Sequence, residues 1–452
     1  MNKIPQSLID SLHGVPGFDE AGFTQAHLQP AVTSIRLHPV KQSKAFADNV
    51  QVPWCPQGRY LVERPVFTLD PLYHAGAYYV QEASSMLLHY LLKQVLPTNE
   101  NLRVLDLCAA PGGKSTLIAS LLDESSLLIS NEVIRTRASI LEENMTRWGY
   151  MNSWVTSNDP AVFGKVPGYF DVIVVDAPCS GSGLFRKDAR AIDEWSEANV
   201  QLCSGRQQRI LADVWPALKE NGVLIYATCS FSQQEDEEIL DWLGGKFEVE
   251  TINVQILEEW GIVEVNSSRH GISGYRCFPG KAKGEGFFIA ALRKKESADN
   301  IRFAKSKSEN DKKIAQQASF LFKGQEPVFL QLDKETHIAI IPQHEADLQL
   351  LRKSFFLRKA GLQTGMPAAK EWIPAHDTAL GIALADTISS IDVNREQALR
   401  FLKKEEMDTV AAKGWHVVKY EGLGLGWVKS LGNRMNNYLP KHWKIRMNID
   451  EE

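Results

Sequence analysis

No stretch of this chain approaches the roughly 18 apolar residues that a membrane-spanning helix requires, and the opening MNKIPQSLIDSLHG lacks the apolar run of a secretory signal. A cytoplasmic protein without a membrane partner is expected. Cysteine is sparse and scattered: Cys55, Cys108, Cys179, Cys203, Cys229 and Cys277 include no C-x-x-C, which argues against a zinc knuckle and against a disulfide framework. No metal is expected. Charge of one sign is not in excess either, since 50 Lys and Arg face 55 Asp and Glu for a formal net charge of -5. That balance excludes a chain that coats nucleic acid by bulk charge, so any polyanion must meet a local patch. The dinucleotide fingerprint G-x-G-x-x-G is missing, and Cys108 stands where a Walker A loop needs its first glycine.

What is present is length and apolar content. With 452 residues, 44% of them apolar, the chain buries its core in two or three domains. Residues 1–70 mix short helical patterns with Pro and Gly, end in an extended-looking Val66-Phe67-Thr68-Leu69-Asp70, and read as an accessory domain. From 71 to 293 short apolar runs alternate with helix-length patterns. Arg103 to Cys108, Leu127 to Asn131, Ser153 to Thr156, Phe170 to Val175, Val223 to Thr228 and Phe287 to Leu292 read as strands, which predicts an α/β domain with a mainly parallel sheet covered on both faces. Residues 294–313 are rich in charge and poor in bulky apolar side chains, the composition of a linker. Globular composition resumes over 314–452.

The run Val104 to Thr116, VLDLCAAPGGKST, is a strand, a turn of small residues and a helix start. Little side-chain bulk over Cys108, Ala109, Ala110, Pro111, Gly112, Gly113 and Lys114 lets a ligand approach backbone amides. A nucleotide-like ligand without a phosphate cradle is implied, and S-adenosylmethionine fits. Glu132 closes the next strand at the distance where such folds hold ribose hydroxyls, and Asp159 and Asp176 follow the third and fourth strands. An acid there also serves as a helix cap, but three at one sheet edge favour a ligand, because ligands sit outside the carboxyl ends of parallel strands.

The fourth strand runs into Asp176-Ala177-Pro178-Cys179-Ser180-Gly181-Ser182-Gly183 and the fifth into Ala227-Thr228-Cys229-Ser230, so both cysteines are expected at the ligand edge. Cys55, Cys203 and Cys277 read as small buried hydrophobes. Taken together, CAAPGGKST, the SNE that opens the next helix, DAPCSGSG and ATCS, with the upstream Asp70-Pro71 and Gln81 to Met86, closely resemble the Sun/Nop family of RNA cytosine-5 methyltransferases in its bacterial RsmF-like branch. The resemblance implies a Rossmann-like methyltransferase core in which Cys108 to Lys114, Glu132, Asp159 and Asp176 hold S-adenosylmethionine. It further implies that Cys229 is the nucleophile and that Cys179 assists product release. Ala189 departs from the proline usual after Arg186-Lys187-Asp188. The chemistry asks for the same groups: a thiolate adds at carbon 6 of cytosine while an acid, here Asp176, protonates or hydrogen-bonds ring nitrogen 3. No histidine flanks Cys229, and what ionises it stays open, with Lys114 or a helix N-terminus as sources of positive potential.

The target base must leave its stack, and basic groups with aromatic neighbours must hold the strand. From Lys413 to Arg446 seven Lys or Arg face the single Glu421, interleaved with Trp415, Tyr420, Trp427, Tyr438 and Trp443. This end reads as a β-rich domain resembling the PUA-like RNA modules of the family, with Lys429, Lys441 and Lys444 as contacts. Arg186 and Lys187 follow the reacting loop and could hold a phosphate. The run Glu235-Asp236-Glu237-Glu238 reads as the acidic opening of a helix. The expected function is methyl transfer from S-adenosylmethionine to carbon 5 of a cytosine in ribosomal RNA, most naturally small-subunit 16S rRNA or the small subunit itself, by a monomer. Transfer RNA, cytosine in DNA at a greater distance, and a non-catalytic ribosome-assembly role are the alternatives.

Overall fold

The computed structural model describes residues 4–97, 101–299, 301, 303, 307–324, 326–369, 371–407 and 411–447. At the N-terminal end, β1 (Thr33–Leu37), β2 (Gln51–Val52), β3 (Cys55–Leu61) and β4 (Tyr78–Val80) form an antiparallel sheet in the order β2-β3-β1-β4. Between β3 and β4 the stretch expected to be extended is instead a 3-10 turn, Phe67–Leu69, followed by a helix over Pro71–Ala75. Capping overrides the strand propensity of Val66 and Phe67: Asp70 Oδ1 accepts from Leu72 N at 2.9 Å, with Pro71 in the first turn.

The central sheet contains β5 (Arg103–Asp106), β6 (Leu127–Asn131), β7 (Ser153–Thr156), β8 (Phe170–Asp176) and β9 (Leu218–Thr228). All are parallel, in the order β9-β8-β5-β6-β7. It continues antiparallel through β10 (Val249–Thr251), β11 (Val263–Asn266), β12 (Ser273–Cys277) and β13 (Phe287–Lys294), which adds to β9. Side chains alternate strictly, as period-2 strands require. Val104, Leu128, Val172, Val174 and Ile225 face one core, and Leu105, Ile129, Ile173, Val175 and Leu224 face the other. Each of these buried side chains contributes about 1.5–3 kcal/mol, and burial on both faces explains why β8 reads as an unbroken apolar run. In register, Asp106 pairs Val174 and Asp176 pairs Ala227, so the motif loops emerge side by side.

Part of the expected linker lies outside the described residues. Beyond it, β14 (Val328–Gln331), β15 (His337–Ile340), β16 (Leu357–Lys359), β17 (Leu362–Pro367) and β18 (Trp372–Pro374) follow. Four of them make a sheet in the order β14-β15-β17-β18, whereas β16 pairs antiparallel with β7 and extends the central sheet. The last sheet orders β19 (Ser390–Asp392), β20 (Gly414–Tyr420), β21 (Leu423–Ser430) and β22 (Met435–Asn437) in sequence.

Candidate active site

The turn after β5 is shaped by its backbone. Gly112 has φ near +114°, and a Cβ there would press on Leu141 and Asn144 at 3.3 and 3.4 Å, so glycine is required. Neighbours fix the loop from every side: Asn144 Nδ2 donates to Pro111 O at 2.7 Å, Arg137 Nη2 to Ala110 O at 2.8 Å, and Ala109 N to Asn131 O at 2.8 Å. From the N-terminal sheet, buried Arg36 reaches across to donate to Thr116 Oγ1 at 2.6 Å. Beneath the loop Asp106 accepts from Ser115 Oγ at 2.6 Å through one carboxylate oxygen, while the other is buried without a hydrogen-bond partner. Burial pushes this carboxyl up to about 7.

A cavity of about 530 Å³ opens above the loop, lined by Cys108, Ala110, Glu132, Asp159, Asp176, Cys179 and Cys229 among others. Two of its acids serve as backbone caps and still face the cavity. Glu132 Oε1 accepts from Ile134 N at 2.9 Å, and Asp159 Oδ1 accepts from Ala161 N at 3.0 Å at the start of the turn Pro160–Lys165. The second oxygens have only loose cationic neighbours, Arg137 at 3.4 Å from Glu132 and Arg209 at 3.7 Å from Asp159. A nucleoside with ribose hydroxyls and an amine suits the acids of this space, and the cavity volume accommodates S-adenosylmethionine.

A second cavity of about 370 Å³ shares Cys108, Ala110, Asp176, Leu184 and Cys229 with the first and is otherwise walled by Tyr79, Gln81, Glu82, Lys114 and Phe287, among others. Cys229 and Asp176 line both cavities, Cys179 only the first and Lys114 only the second. Cys179 Sγ and Cys229 Sγ are 3.1 Å apart, and hydrogen bonding to Cys229, reinforced by burial, holds the Cys179 thiol well above its ordinary value. Burial likewise pushes Cys108 up. Lys114 Nζ donates to Asp176 Oδ2 at 2.6 Å. Burial alone would lower Lys114, but Asp176 outweighs it and the ammonium is raised. Lys114 thus brings a positive charge, shared with Asp176, into the field of Cys229.

The acidic run after Cys229 corrects its sequence reading. Glu237 and Glu238 do open the helix Glu237–Lys246, yet Glu235, Asp236 and Glu237 are buried and hold the site together. The Glu235 carboxylate accepts from Ser180 N at 2.7 Å, Ser180 Oγ at 2.6 Å and Ser230 Oγ at 2.5 Å, bolting the Cys179 loop to the Cys229 loop. Asp236 accepts from Thr228 Oγ1 at 2.6 Å and pairs with buried Arg276 at 3.0 Å, which also grips Glu237. Burial pushes Glu235 and Asp236 up. The available signal was the serine on each side, Ser180 and Ser230, hydroxyls that need a shared acceptor once buried.

The RNA candidates divide. Arg186 is nearly buried and committed: Nη2 donates to Pro30 O at 2.7 Å and Nη1 lies 3.5 Å from Glu285, so it fastens the N-terminal segment and offers no free charge to phosphate. Lys187 is exposed. Lys429 is ion-paired with Glu371 and lies over the Trp415 ring at 5.4 Å, whereas Lys441 and Lys444 are exposed. Trp427 and Trp443 belong to the core of this end, and Tyr438 is the exposed aromatic of the group. Among the described residues no three His, Cys, Asp or Glu cluster as metal ligands. Sequence reasoning missed Glu235, Asp236, Arg276 and Arg36, and also Arg206 and Arg209 at the cavity rim.

Three family models match the chain: 16S rRNA methyltransferase RsmB/F over residues 93–293, the N-terminal domain of 16S rRNA methyltransferase RsmF over 4–83, and the methyltransferase RsmF PUA domain over 389–445. The chain is 30% identical to ribosomal RNA small subunit methyltransferase F of Psychromonas ingrahamii, over 97% of both chains. It is 30% identical to the protein of that name from Shewanella piezotolerans, over 91% of both. Among solved structures, a methyltransferase homolog protein from Pyrococcus horikoshii is 27% identical, with a TM-score of 0.52 over 64% of this chain and 100% of that one.

Proposed function

The chain belongs to the RsmB/F family of 16S rRNA methyltransferases, and from that premise we propose that its two cysteines, with Asp176 and Lys114, form the machinery that methylates carbon 5 of a cytosine. The protein is an S-adenosylmethionine-dependent ribosomal RNA methyltransferase. Its substrate is a cytosine of 16S rRNA, free or in the small subunit, and it works as a cytoplasmic monomer. The observation that carries the residue assignment is the pair of sulfurs 3.1 Å apart, with Cys229 lining both cavities and Cys179 the larger one. One cavity fits the methyl donor and the other leaves room for a flipped base.

In this reading Glu132 and Asp159 hold the nucleoside end of S-adenosylmethionine and the Cys108 to Gly113 turn lies along it. When bound, that group supplies an electrophilic methyl. The protein does the rest. Cys229 adds as a thiolate to carbon 6 while Asp176, sharing a proton with Lys114, protonates or hydrogen-bonds ring nitrogen 3, so that electron density moves to carbon 5. Lys114 also favours the thiolate by its charge. After methylation a water oriented by the Cys179 thiol takes the proton from carbon 5, and the bond from Cys229 to carbon 6 breaks with its electron pair returning to the Cys229 sulfur.

Bisulfite sequencing of ribosomal and transfer RNA from cells with and without the protein tests the substrate. A 16S cytosine that loses its methyl group in the deletion and regains it with the wild-type gene, but not with Cys229→Ala, is the expected result. A change confined to transfer RNA would overturn the substrate, and no change in either would favour an assembly role.

A further inference from the structure

The helix Glu197–Val214 follows the Cys179 loop and packs Val200, Cys203, Gln207, Ile210 and Val214 against the core. Its opposite face is unusual. Leu202, Gly205, Arg206 and Arg209 fall at i, i+3, i+4 and i+7, a single stripe along the helix. All four are exposed, Leu202 by 69%. Nothing lies within 4 Å of a Cβ built on Gly205, so no packing contact within the chain accounts for a glycine inside a helix, where it weakens the helix relative to alanine.

The two arginines border the larger cavity, which Cys179 and Cys229 also line. Arg209 touches Asp159 only at 3.7 Å and leaves its side chain 58% exposed. Arg206 makes no hydrogen bond or ion pair among the described residues. In a chain of net charge -5, two guanidinium groups with little or nothing to neutralise them stand at the mouth of the reacting site. An arginine fork matches phosphate oxygens in pairs, and the stripe from Leu202 to Arg209 runs about 10 Å along the helix, longer than any single carboxylate needs.

We propose that this stripe carries the phosphodiester backbone of the RNA strand beside the target nucleotide. Arg206 and Arg209 pair with phosphates, bare Gly205 lets the strand lie close to the helix, and Leu202 covers an apolar sugar or base face. The proposal rests on the RNA methyltransferase reading above.

The test uses the full-length protein with transcribed 16S rRNA, measuring the RNA dissociation constant across salt concentrations, the S-adenosylmethionine dissociation constant by calorimetry, and the melting temperature. Arg206→Ala with Arg209→Ala is expected to weaken RNA binding on the order of tenfold and to flatten the salt dependence by roughly 1.4 in the log–log slope, about 0.7 per lost contact to a single strand. Arg206→Ala alone, which leaves the Arg209–Asp159 contact in place, should keep cofactor affinity within about twofold. Gly205→Leu should weaken RNA binding with the melting temperature unchanged or raised, a combination that misfolding cannot produce. Loss of cofactor affinity with RNA binding intact would assign the arginines to the methyl donor, and no change in either would leave the stripe as bare surface. Wild-type protein that fails to bind 16S rRNA would overturn the underlying reading instead of this face.

Discussion

Glu132 gives one oxygen to a backbone cap and keeps the other at the cavity. Glu132→Ala should therefore weaken S-adenosylmethionine binding by roughly 1–3 kcal/mol, the cost of leaving ribose hydroxyls unpaired, while unchanged affinity by calorimetry would make it a cap alone. Glu235 has no cavity role in this account. Removing its carboxylate by Glu235→Ala strands the Ser180 amide and two hydroxyls, and urea unfolding should show a loss of about 1–3 kcal/mol. Asp106 adds a pH signature. Its folded-state value near 7 lies above the unfolded value of 3.8, so the folded protein keeps a proton that the unfolded chain has lost, and this contribution to stability falls as pH rises from about 4 to 7. Asp106→Asn removes that slope. Urea unfolding at pH 5 and pH 8 should find the variant gaining on wild type at the higher pH, and a constant gap would contradict the buried-acid account. The sequence made Glu132 and the two cysteines legible because each sits at the end of a strand whose direction its own run predicts. The contacts of Glu235 and Arg186 were not legible, because their partners, Ser180 at 55 positions' separation and Pro30 at 156, are brought to them only by the fold.

At the level of elements, the parallel strands were readable because burial on both faces demands continuous apolar runs. Val66 to Asp70 was not, since Asp70 and Pro71 nucleate a helix there. Nor was β16, three residues long, whose pairing with β7 joins the region after the linker to the central sheet. The C-terminal sheet carries a prediction of its own. Lys429 is already paired with Glu371, leaving Lys441 and Lys444 as the cations of the expected trio without an ion pair among the described residues. Replacing all three by alanine should raise the RNA dissociation constant and flatten the salt slope by roughly 1.4, the contribution of two single-strand contacts and not three. Binding kept while turnover at saturating RNA collapses would show that this end serves the chemistry and not affinity.

The molecule as a whole is tied across its parts by buried polar contacts. Arg36 carries the N-terminal sheet to the cofactor turn, and buried Lys41, pulled down to about 7 by burial, donates to the carbonyls of Ala75 and Arg147. Arg103 and Tyr169 both donate to Asp347, at 2.7 and 2.6 Å, and hold the region after the linker against the core. At the carboxyl edge of the parallel strands two thiols lie 3.1 Å apart, and the central claim is that they divide the reaction between them, Cys229 attacking and Cys179 releasing. RNA containing 5-fluorocytosine blocks loss of the carbon 5 substituent and traps whichever cysteine attacks, so the decisive measurement is denaturant-resistant protein–RNA adduct for wild type, Cys229→Ala and Cys179→Ala on fluorinated and ordinary RNA. The account predicts adduct for wild type on fluorinated RNA, none for Cys229→Ala on either substrate, and accumulation for Cys179→Ala even on ordinary cytosine. Adduct retained by Cys229→Ala and lost by Cys179→Ala would contradict it.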